Sequence, residues 1–247
     1  MVAPNGGRKT KAEHPAVPIS IPELVDSARV CHAAGAQALH AHVRDNDGQH
    51  VLDAGLYREL LAECARCVPG MQVQITTEAL GRYSPAQQRQ LVRAVQPTQV
   101  SVALREQDPD GEAAEARDFY FWAAEAGLES QHILYSPRER QWLERLQDRG
   151  IIPQLRQRVL YVLGRYEDGL ASDPRNVSAF VAAGSRDVRW MVCAFGQSET
   201  DCLAEAHALG GEMRVGFENN CLNRDGRVAA DNAHRVIDLI AALDLHR

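Results

Sequence analysis

Two patterns of hydrophobic and polar positions alternate along the chain. Short runs rich in Val, Ile and Leu, typical of buried strands, are followed by longer segments in which apolar residues recur with helical period. The apolar runs predict strands near residues 2–4, 37–43, 71–76, 99–103, 131–134, 159–163, 190–193 and 213–217. The periodic segments predict helices at about residues 21–34, 55–67, 84–95, 112–126, 137–149, 174–183, 198–209 and 229–243. The chain is therefore predicted to repeat a βα unit about eight times.

Strict alternation of strands and helices predicts a parallel sheet, and eight units in 247 residues fit a (β/α)8 TIM barrel. An open doubly wound sheet is the alternative, but neither Gly6-Gly7 nor Gly210-Gly211 belongs to a GxGxxG motif after a strand. No linker rich in Pro, Gly or Ser divides the chain, so we expect one domain over residues 1–247. The polar segment 5–19 is interpreted as a long first βα loop at the catalytic end of the barrel.

The overall composition excludes several classes of protein. Hydrophobic residues make up 45% and charged residues 24%, which is typical of a globular protein. A net charge of -6 argues against nucleic-acid partners, and no apolar run is long enough to span a membrane. Six scattered cysteines and the lack of a secretory signal pattern favour a cytoplasmic protein with reduced thiols.

The segment QALHAHVRD places His40 and His42 two residues apart on a predicted strand. Because side chains on a strand alternate with a period of two, both imidazoles point to the same side. Both lie near the carboxyl end of the strand, where barrel enzymes carry their active sites. The pair suits a divalent transition metal, although two polar histidines filling the core are an equal alternative.

A third ligand is available after the last predicted strand, in the segment VGFENN. Glu218 together with the two histidines would give three protein ligands and open positions, as in catalytic zinc sites. The alternative is that Glu218 caps the following loop. Arg214 precedes Glu218 by four residues, so we expect their side chains to share a face. A buried arginine there needs a charged partner, such as a neighbouring acid or a substrate carboxylate.

Several motifs together make the chain resemble the β-keto acid cleavage enzyme family over essentially its whole length. The resemblance rests on the segments APNGGRKTK, HPAVP, AGAQALHAHVRDNDG, QITTEALGR, YVLGRY, GGEMRVGFENN and DGRVAADNA. It implies a zinc-dependent (β/α)8 barrel that converts a β-keto acid and acetyl-CoA into acetoacetate and a new acyl-CoA. In the implied reaction, an enolate of the keto acid attacks the thioester. Coenzyme A then cleaves the diketo intermediate in a retro-Claisen step.

The resemblance also implies roles for individual residues. The metal would be held by His40, His42 and Glu218, with Arg214 as the active-site arginine. Thr76 and Ser101 lie where the family has hydroxyl groups that contact the keto acid. A homo-oligomer, either a dimer or a tetramer, is implied as well.

Basic residues near predicted strand ends are candidates for binding coenzyme A and the keto acid. Arg82, Arg105 and Arg165 follow strand ends, although solvated loop arginines are an equal interpretation. In an acidic protein, basic residues at the barrel mouth would create a local positive region for anionic ligands. We assign this role to Arg8, Arg105, Arg165 and Arg214.

One departure from the family concerns proton transfer. The residue after the metal-binding glutamate is commonly an aspartate in the family, and here it is Asn219. Because an amide cannot act as a general base, either another group does so or turnover is slow. Glu78, Glu106 and His132 are the candidates, which the sequence leaves unranked.

A second departure concerns the substrate tail. Arg8 and Ile133 replace acids that contact the amine of a family substrate, so we expect a neutral, apolar or anionic tail. A third departure is that the first strand begins almost at Met1, which predicts either a short strand or a start further upstream.

Two other functions remain open from the sequence. One is a metal-dependent barrel hydrolase of the amidohydrolase type. Those enzymes carry HxH on the first strand and histidines on the fifth and sixth, whereas this chain offers only His132 on the fifth. The other is a degenerate member that binds acyl-CoA or metal with little turnover, which Asn219 would explain.

Overall fold

The computed structural model describes residues 1–108, 110–165 and 171–244. Its strands are β1 (Ala38–Ala41), β2 (Gln72–Thr76), β3 (Gln99–Ala103), β4 (Glu129–Leu134), β5 (Gln157–Leu163), β6 (Val188–Ala194) and β7 (Glu212–Met213). Its helices are α1 (Ile21–Ala33), α2 (Ala54–Cys67), α3 (Pro85–Val95), α4 (Ala113–Glu125), α5 (Pro137–Asp148), α6 (Arg175–Ala182), α7 (Glu199–Ala208) and α8 (Asn232–Asp244). A short 3-10 helix, Leu104–Gln107, follows β3.

The seven strands form a parallel sheet in which every strand pairs with the next one along the chain. The sheet curls so that Val2 forms parallel bridges to Leu39 of β1 and to Val215, which follows β7. The predicted (β/α)8 barrel class is confirmed, but the strand predicted at residues 2–4 is wrong as an extended element. Only Val2 bridges its neighbours there.

The strand predicted at residues 213–217 is also shorter than expected. β7 ends at Met213, Val215 makes an isolated bridge, and the chain then turns. Gly216 has a φ of 144°, and Asn219 donates a backbone hydrogen bond to the carbonyl oxygen of Gly216. Glu218 therefore lies in a tight turn rather than on the strand.

Serine caps fix the starts of three helices. Ser20 and Glu23 form a reciprocal capping box at α1, and Ser84 and Gln87 do the same at α3. Ser136 accepts a hydrogen bond from the backbone of Glu139 at the start of α5. In all three helices a proline occupies the first turn, where its missing N–H costs no hydrogen bond.

Apolar side chains form two main layers on opposite faces of the sheet. The larger layer packs the strands against the helices, with Leu24, Leu60 and Phe119 among its fully buried members. A smaller cluster on β3 to β6 contains Ala103, Ile133, Leu160, Val162, Met191 and Cys193, together with Phe195 just after β6. Among the described helices, none is long and apolar enough to cross a membrane.

Candidate metal centre and cleft

The three predicted metal ligands come together at the carboxyl end of the sheet. The Nε2 atoms of His40 and His42 are 3.2 Å apart. The Oε2 atom of Glu218 lies 3.6 Å from Nε2 of His40 and 3.7 Å from Nε2 of His42. Within the described part of the chain, these residues form the one group of three or more His, Cys, Asp or Glu residues close enough to hold a metal.

Hydrogen bonds on the far side of each ring assign the histidine tautomers. Nδ1 of His40 donates to Oε1 of Gln74 at 2.8 Å, which leaves its Nε2 with a lone pair. His50 donates from Nε2 to the carbonyl oxygen of Glu78, so its Nδ1 is an acceptor. That nitrogen lies 3.4 Å from Nδ1 of His42, which therefore carries the hydrogen. Both Nε2 lone pairs face the carboxylate of Glu218.

This donor set fits a zinc ion. Two nitrogen lone pairs at 3.2 Å repel each other unless a cation lies between them. Oε2 of Glu218 is buried and has no hydrogen-bond partner among the described residues. Ligand atoms around tetrahedral zinc lie roughly 3.4 Å apart, given bonds of about 2.0–2.2 Å, and the three distances here lie close to that value.

Electrostatics favour the protonation states that metal binding requires. Burial lowers the pKa of His40 to about 4 and that of His42 well below its ordinary value, so both rings are neutral. Burial opposes ionisation of Glu218, but the charge of Arg214 and other groups hold its pKa below the usual range. Neutral imidazoles and a carboxylate are ligands that zinc binds.

Arg214 contacts Glu218, as the sequence predicts, although Glu218 lies in a turn rather than on the same strand. Nη2 of Arg214 donates to Oε1 of Glu218 at 3.1 Å and to Sγ of Cys193 at 3.3 Å. The arginine side chain is 3% exposed. Its partner is thus a neighbouring acid, and Oε2 of Glu218 is left facing the histidines.

A cleft opens over these three candidate ligands. Its polar lining residues are the three candidate ligands together with Thr76, Glu78, Arg165 and Arg214. The apolar and aromatic lining residues are Ala103, Ile133, Tyr135, Val162 and Phe195. The cleft therefore combines the candidate metal ligands and other polar side chains with an apolar lining.

The two predicted hydroxyl residues differ in their position. Thr76 lines the cleft, and its Oγ1 accepts a hydrogen bond from the backbone N–H of Glu78 at 3.0 Å. Ser101 pairs with Thr76 in the register of β2 and β3 but does not line the cleft. Its buried hydroxyl has no hydrogen-bond partner among the described residues.

The predicted basic residues are spread around the mouth. Arg165 lines the cleft, with Nη2 at 3.3 Å from Oε1 of Glu78. Arg8 is exposed, and Arg105 forms an ion pair with Glu139 at 2.5 Å and stacks over Tyr135, so neither lines the cleft. Arg82 donates to the carbonyl oxygen of His50 at 3.3 Å.

The structure separates the three candidate bases. Glu78 lines the cleft, with Oε2 at 3.6 Å from Nδ1 of His42. Burial, helped by the charge of Glu218, raises the pKa of Glu78 to about 7, against the opposing charge of Arg165. Glu106 accepts hydrogen bonds from the backbone of Ala79 and from Gln88. Neither Glu106 nor His132 lines the cleft.

That candidate, His132, lines a separate cavity with Tyr120 and bonds to Gln157 at 3.0 Å. It therefore does not join the candidate ligands His40, His42 and Glu218, whereas amidohydrolase-type barrels have a ligand histidine on the fifth strand. The Asn219 side chain is buried, and its amide has no hydrogen-bond partner among the described residues.

His50 and Gln74, whose side chains contact the Nδ1 atoms of His42 and His40, were not predicted from the sequence. The DNDG turn carries the signal for His50, since Asp-Gly favours a hairpin. In the structure, Arg44 and His50 form an antiparallel bridge across that turn. For Gln74, the sequence signal is its position on β2 two residues before Thr76, which places both side chains on the same face of the strand.

Comparison with known proteins gives a consistent set of matches. The family model for beta-keto acid cleavage enzyme matches residues 1–245. The 3-keto-5-aminohexanoate cleavage enzyme of Fusobacterium nucleatum subsp. nucleatum is 26% identical over 243 residues, covering 94% of this chain and 85% of that protein. The 3-oxoadipate:acetyl-CoA acetyltransferase of Cupriavidus necator is 24% identical over 255 residues, covering 98% of this chain and 86% of that protein.

A solved structure with the same fold is the ternary complex of ObcA with a C4-CoA adduct and oxalate. It superimposes with a TM-score of 0.72 at 14% identity and covers 94% of this chain. This chain spans 64% of ObcA, slightly less than two thirds of its length. At that identity the likeness shows the fold alone.

Proposed function

The chain belongs to the β-keto acid cleavage enzyme family, and from that premise we propose that it converts a β-keto acid and acetyl-CoA into acetoacetate and a new acyl-CoA. We propose that zinc is its metal and that His40, His42 and Glu218 hold it. The observation that carries the proposal is the convergence of these three ligand atoms, 3.2–3.7 Å apart, on the wall of a cleft that also contains Arg214.

The names of the matched proteins support this reaction class. One relative is named for cleavage of 3-keto-5-aminohexanoate, and another for acetyl transfer between 3-oxoadipate and acetyl-CoA. Both named acids carry a keto group at the third carbon but differ in their tails. ObcA, with the same fold, has been solved with a CoA adduct.

A bound zinc ion would supply Lewis-acid chemistry, stabilising negative charge on the keto oxygen of the substrate. The protein's part is to hold the ligands in place. Gln74 and His50 fix the rings of His40 and His42 through their Nδ1 atoms. Arg214 holds one carboxylate oxygen of Glu218 and presents a buried positive charge that would orient the substrate carboxylate.

Proton transfer is assigned to Glu78. Glu78 is a carboxylate in the cleft, and Glu106 and His132 do not line the cleft. The amide of Asn219 cannot act as a general base. Glu78 removes a proton from the carbon between the keto group and the carboxylate. The resulting enolate carbon attacks the thioester carbonyl of acetyl-CoA, and the coenzyme A thiolate leaves.

The second half of the reaction restores the proton. The thiolate attacks the original keto carbon, and the bond between that carbon and the former enolate carbon breaks. The electron pair stays on the acetoacetate fragment, which takes the proton back from Glu78. The products are acetoacetate and the acyl-CoA of the substrate tail, so no oxidant or reductant is needed.

The substrate tail is proposed to be uncharged or anionic. Ile133, Val162 and Phe195 make the side of the cleft away from the ligands apolar. Arg8 and Arg165 add positive charge near Glu78, where each lowers the pKa that burial raises. A cationic tail would lose its hydration here, and the cleft carboxylates Glu78 and Glu218 are already paired with Arg165 and Arg214.

A second candidate function is binding without turnover, favoured by the amide at Asn219. The deciding experiment incubates zinc-loaded protein with acetyl-CoA and a panel of β-keto acids that have apolar, anionic and cationic tails, and measures acetoacetate. An enzyme releases acetoacetate, and His40→Ala abolishes release while His207→Ala, at an exposed histidine on α7, does not. Absence of acetoacetate with every acid would favour binding without turnover. If Asn219→Asp then releases acetoacetate faster than the native protein, position 219 is the site of the lost proton-transfer group.

A further inference from the structure

The proposed metal ligands lie on two sides of a seam in the barrel. The seam is the place where residues 1–5 lie between β1 and the residues that follow β7. His40 and His42 belong to the β1 side, and Glu218 follows β7 at the other side. Between them runs the segment 1–5, which pairs with both sides only near Val2. Val2 bonds to the backbone of Ala38 and His40, each at 2.8 Å, and Ala3 bonds to Val215 at 2.8 Å.

Beyond this short ladder, the side chain of Asn5 takes over the pairing with the histidine side. Its Nδ2 donates to the carbonyl oxygen of His42 at 2.8 Å, and its Oδ1 accepts from the N–H of His42 at 3.2 Å. Nδ2 also donates to the carbonyl oxygen of Pro18 at 3.1 Å. Asn5 is fully buried. One amide thus pairs with both backbone groups of a metal-ligand residue.

Asn232, at the start of α8, makes the matching connection on the Glu218 side. Its Oδ1 accepts from the N–H of Phe217 at 2.9 Å, and its Nδ2 donates to the carbonyl oxygen of Pro4 at 3.1 Å. Its side chain is also buried. The backbone N–H of Glu218 itself donates to the carbonyl oxygen of Ala3 at 3.1 Å.

We propose that Asn5 and Asn232 are positioning residues that set the distance between the histidine pair and Glu218 across the seam. The two amides link His42, through Pro4 and Asn5, to the residue before Glu218. Metal–ligand distances lie within about 0.2 Å of standard values, so a change in the distance between the histidine pair and Glu218 would weaken the site. The inference rests on the proposed metal site.

A close approach at the same place leaves the turn little freedom. A β-carbon on Gly216 would collide with the carbonyl oxygen of Ala3, and one on Gly6 would collide with the side chain of Glu218. The backbones of Ala3 and Gly216 are therefore in contact, and the backbone of Gly6 lies against the side chain of Glu218. A shift of segment 1–6 would displace the turn that carries Glu218.

The experiment measures the zinc dissociation constant by competition with a chromogenic chelator, without any assay of turnover. Asn5→Ala and Asn232→Ala are each expected to weaken zinc binding by about 10- to 100-fold, the usual effect of removing groups that orient metal ligands. Gln147→Ala is the matched control, because its buried amide also donates two hydrogen bonds to backbone carbonyls, of Pro153 and Leu155, far from the cleft. The control is expected to bind zinc within twofold of native protein.

Urea unfolding of the metal-free proteins separates positioning from general destabilisation. If an alanine variant fails to fold, Asn232→Asp is measured instead. This variant keeps the acceptor for the N–H of Phe217 and loses the donor to the carbonyl oxygen of Pro4. A loss of zinc affinity of about fivefold or more supports the inference. Native affinity in the asparagine variants, or an equal loss in Gln147→Ala, overturns this inference alone. A native protein that binds no zinc overturns the proposed metal site together with it.

Discussion

Nε2 of His40 faces Nε2 of His42 at 3.2 Å, with both ring hydrogens on the opposite nitrogens. Two lone pairs in this arrangement repel each other, and the nearest group on their open side is a carboxylate oxygen that has no hydrogen-bond partner among the described residues. A divalent cation resolves both problems. The pair is therefore the structural basis of the proposed metal site.

Replacement of His42 by alanine is expected to remove stoichiometric zinc. One of the three ligand atoms is lost, and the remaining histidine and glutamate leave an incomplete site. The measurement is the zinc content after dialysis, together with the shift in melting temperature on zinc addition. His207→Ala should keep both the metal and the shift, and a His42→Ala protein that retains native zinc content would contradict the ligand assignment.

Replacement of Glu78 by glutamine is expected to lower kcat by about 10²- to 10⁴-fold, the usual contribution of a general base. Glutamine keeps the size of the side chain but cannot accept a proton. Steady-state kinetics of acetoacetate release make the comparison, with zinc content checked because Glu78 lies 3.6 Å from His42. Glu59→Gln, which alters an exposed carboxylate on α2, should leave kcat unchanged. Equal rates for Glu78→Gln and native enzyme would exclude Glu78 as the base.

Exchange of Arg8 for glutamate is expected to shift selectivity away from anionic tails. The change should lower kcat/KM for a dicarboxylic β-keto acid on the order of fivefold relative to one with an apolar tail, since an exposed charge is screened by salt. Arg29→Glu makes the same charge change at an exposed residue of α1 and should leave the ratio unchanged. Unchanged selectivity in Arg8→Glu would rule out a role for this residue near the tail.

Removal of the Glu199 side chain is expected to lower the free energy of unfolding by about 3 kcal/mol, because Arg235 loses its fully buried acidic partner and keeps the partly exposed Asp238 as its other one. Glu199 bonds to Arg235 at 2.7 Å, and both side chains are fully buried. Urea unfolding of Glu199→Ala makes the test. Glu63→Ala breaks an ion pair with Arg66 on the exposed side of α2 and should cost much less, because solvent screens that pair. Similar losses in the two variants would show that the buried pair contributes no more than a surface one.

The alternation of strands and helices predicts most of the fold, because each βα unit is specified by local periodicity. The first and last strands were overestimated, since both end at the seam. Gly216 is the physical reason on one side, because its φ of 144° takes the chain out of the strand. A glycine inside an apolar run is the signal that could have shortened that strand.

The convergence of His40 and His42 was predictable because a period of two places both side chains on one side of a strand. Their supporting contacts were not, because these join residues far apart in the chain. The bond between Asn232 and Pro4 spans 228 positions, and that between Asn5 and His42 spans 37. No local pattern specifies such pairs, which depend on how the barrel closes.

The most direct test of the proposed function follows the carbon atoms of the reaction. Zinc-loaded protein is incubated with acetyl-CoA labelled with ¹³C in its acetyl group and an unlabelled β-keto acid, and the products are measured by mass spectrometry. The proposed chemistry places the label in the acetyl half of acetoacetate and leaves the new acyl-CoA unlabelled. Label found only in free acetate, or no acetoacetate from any β-keto acid, would contradict it.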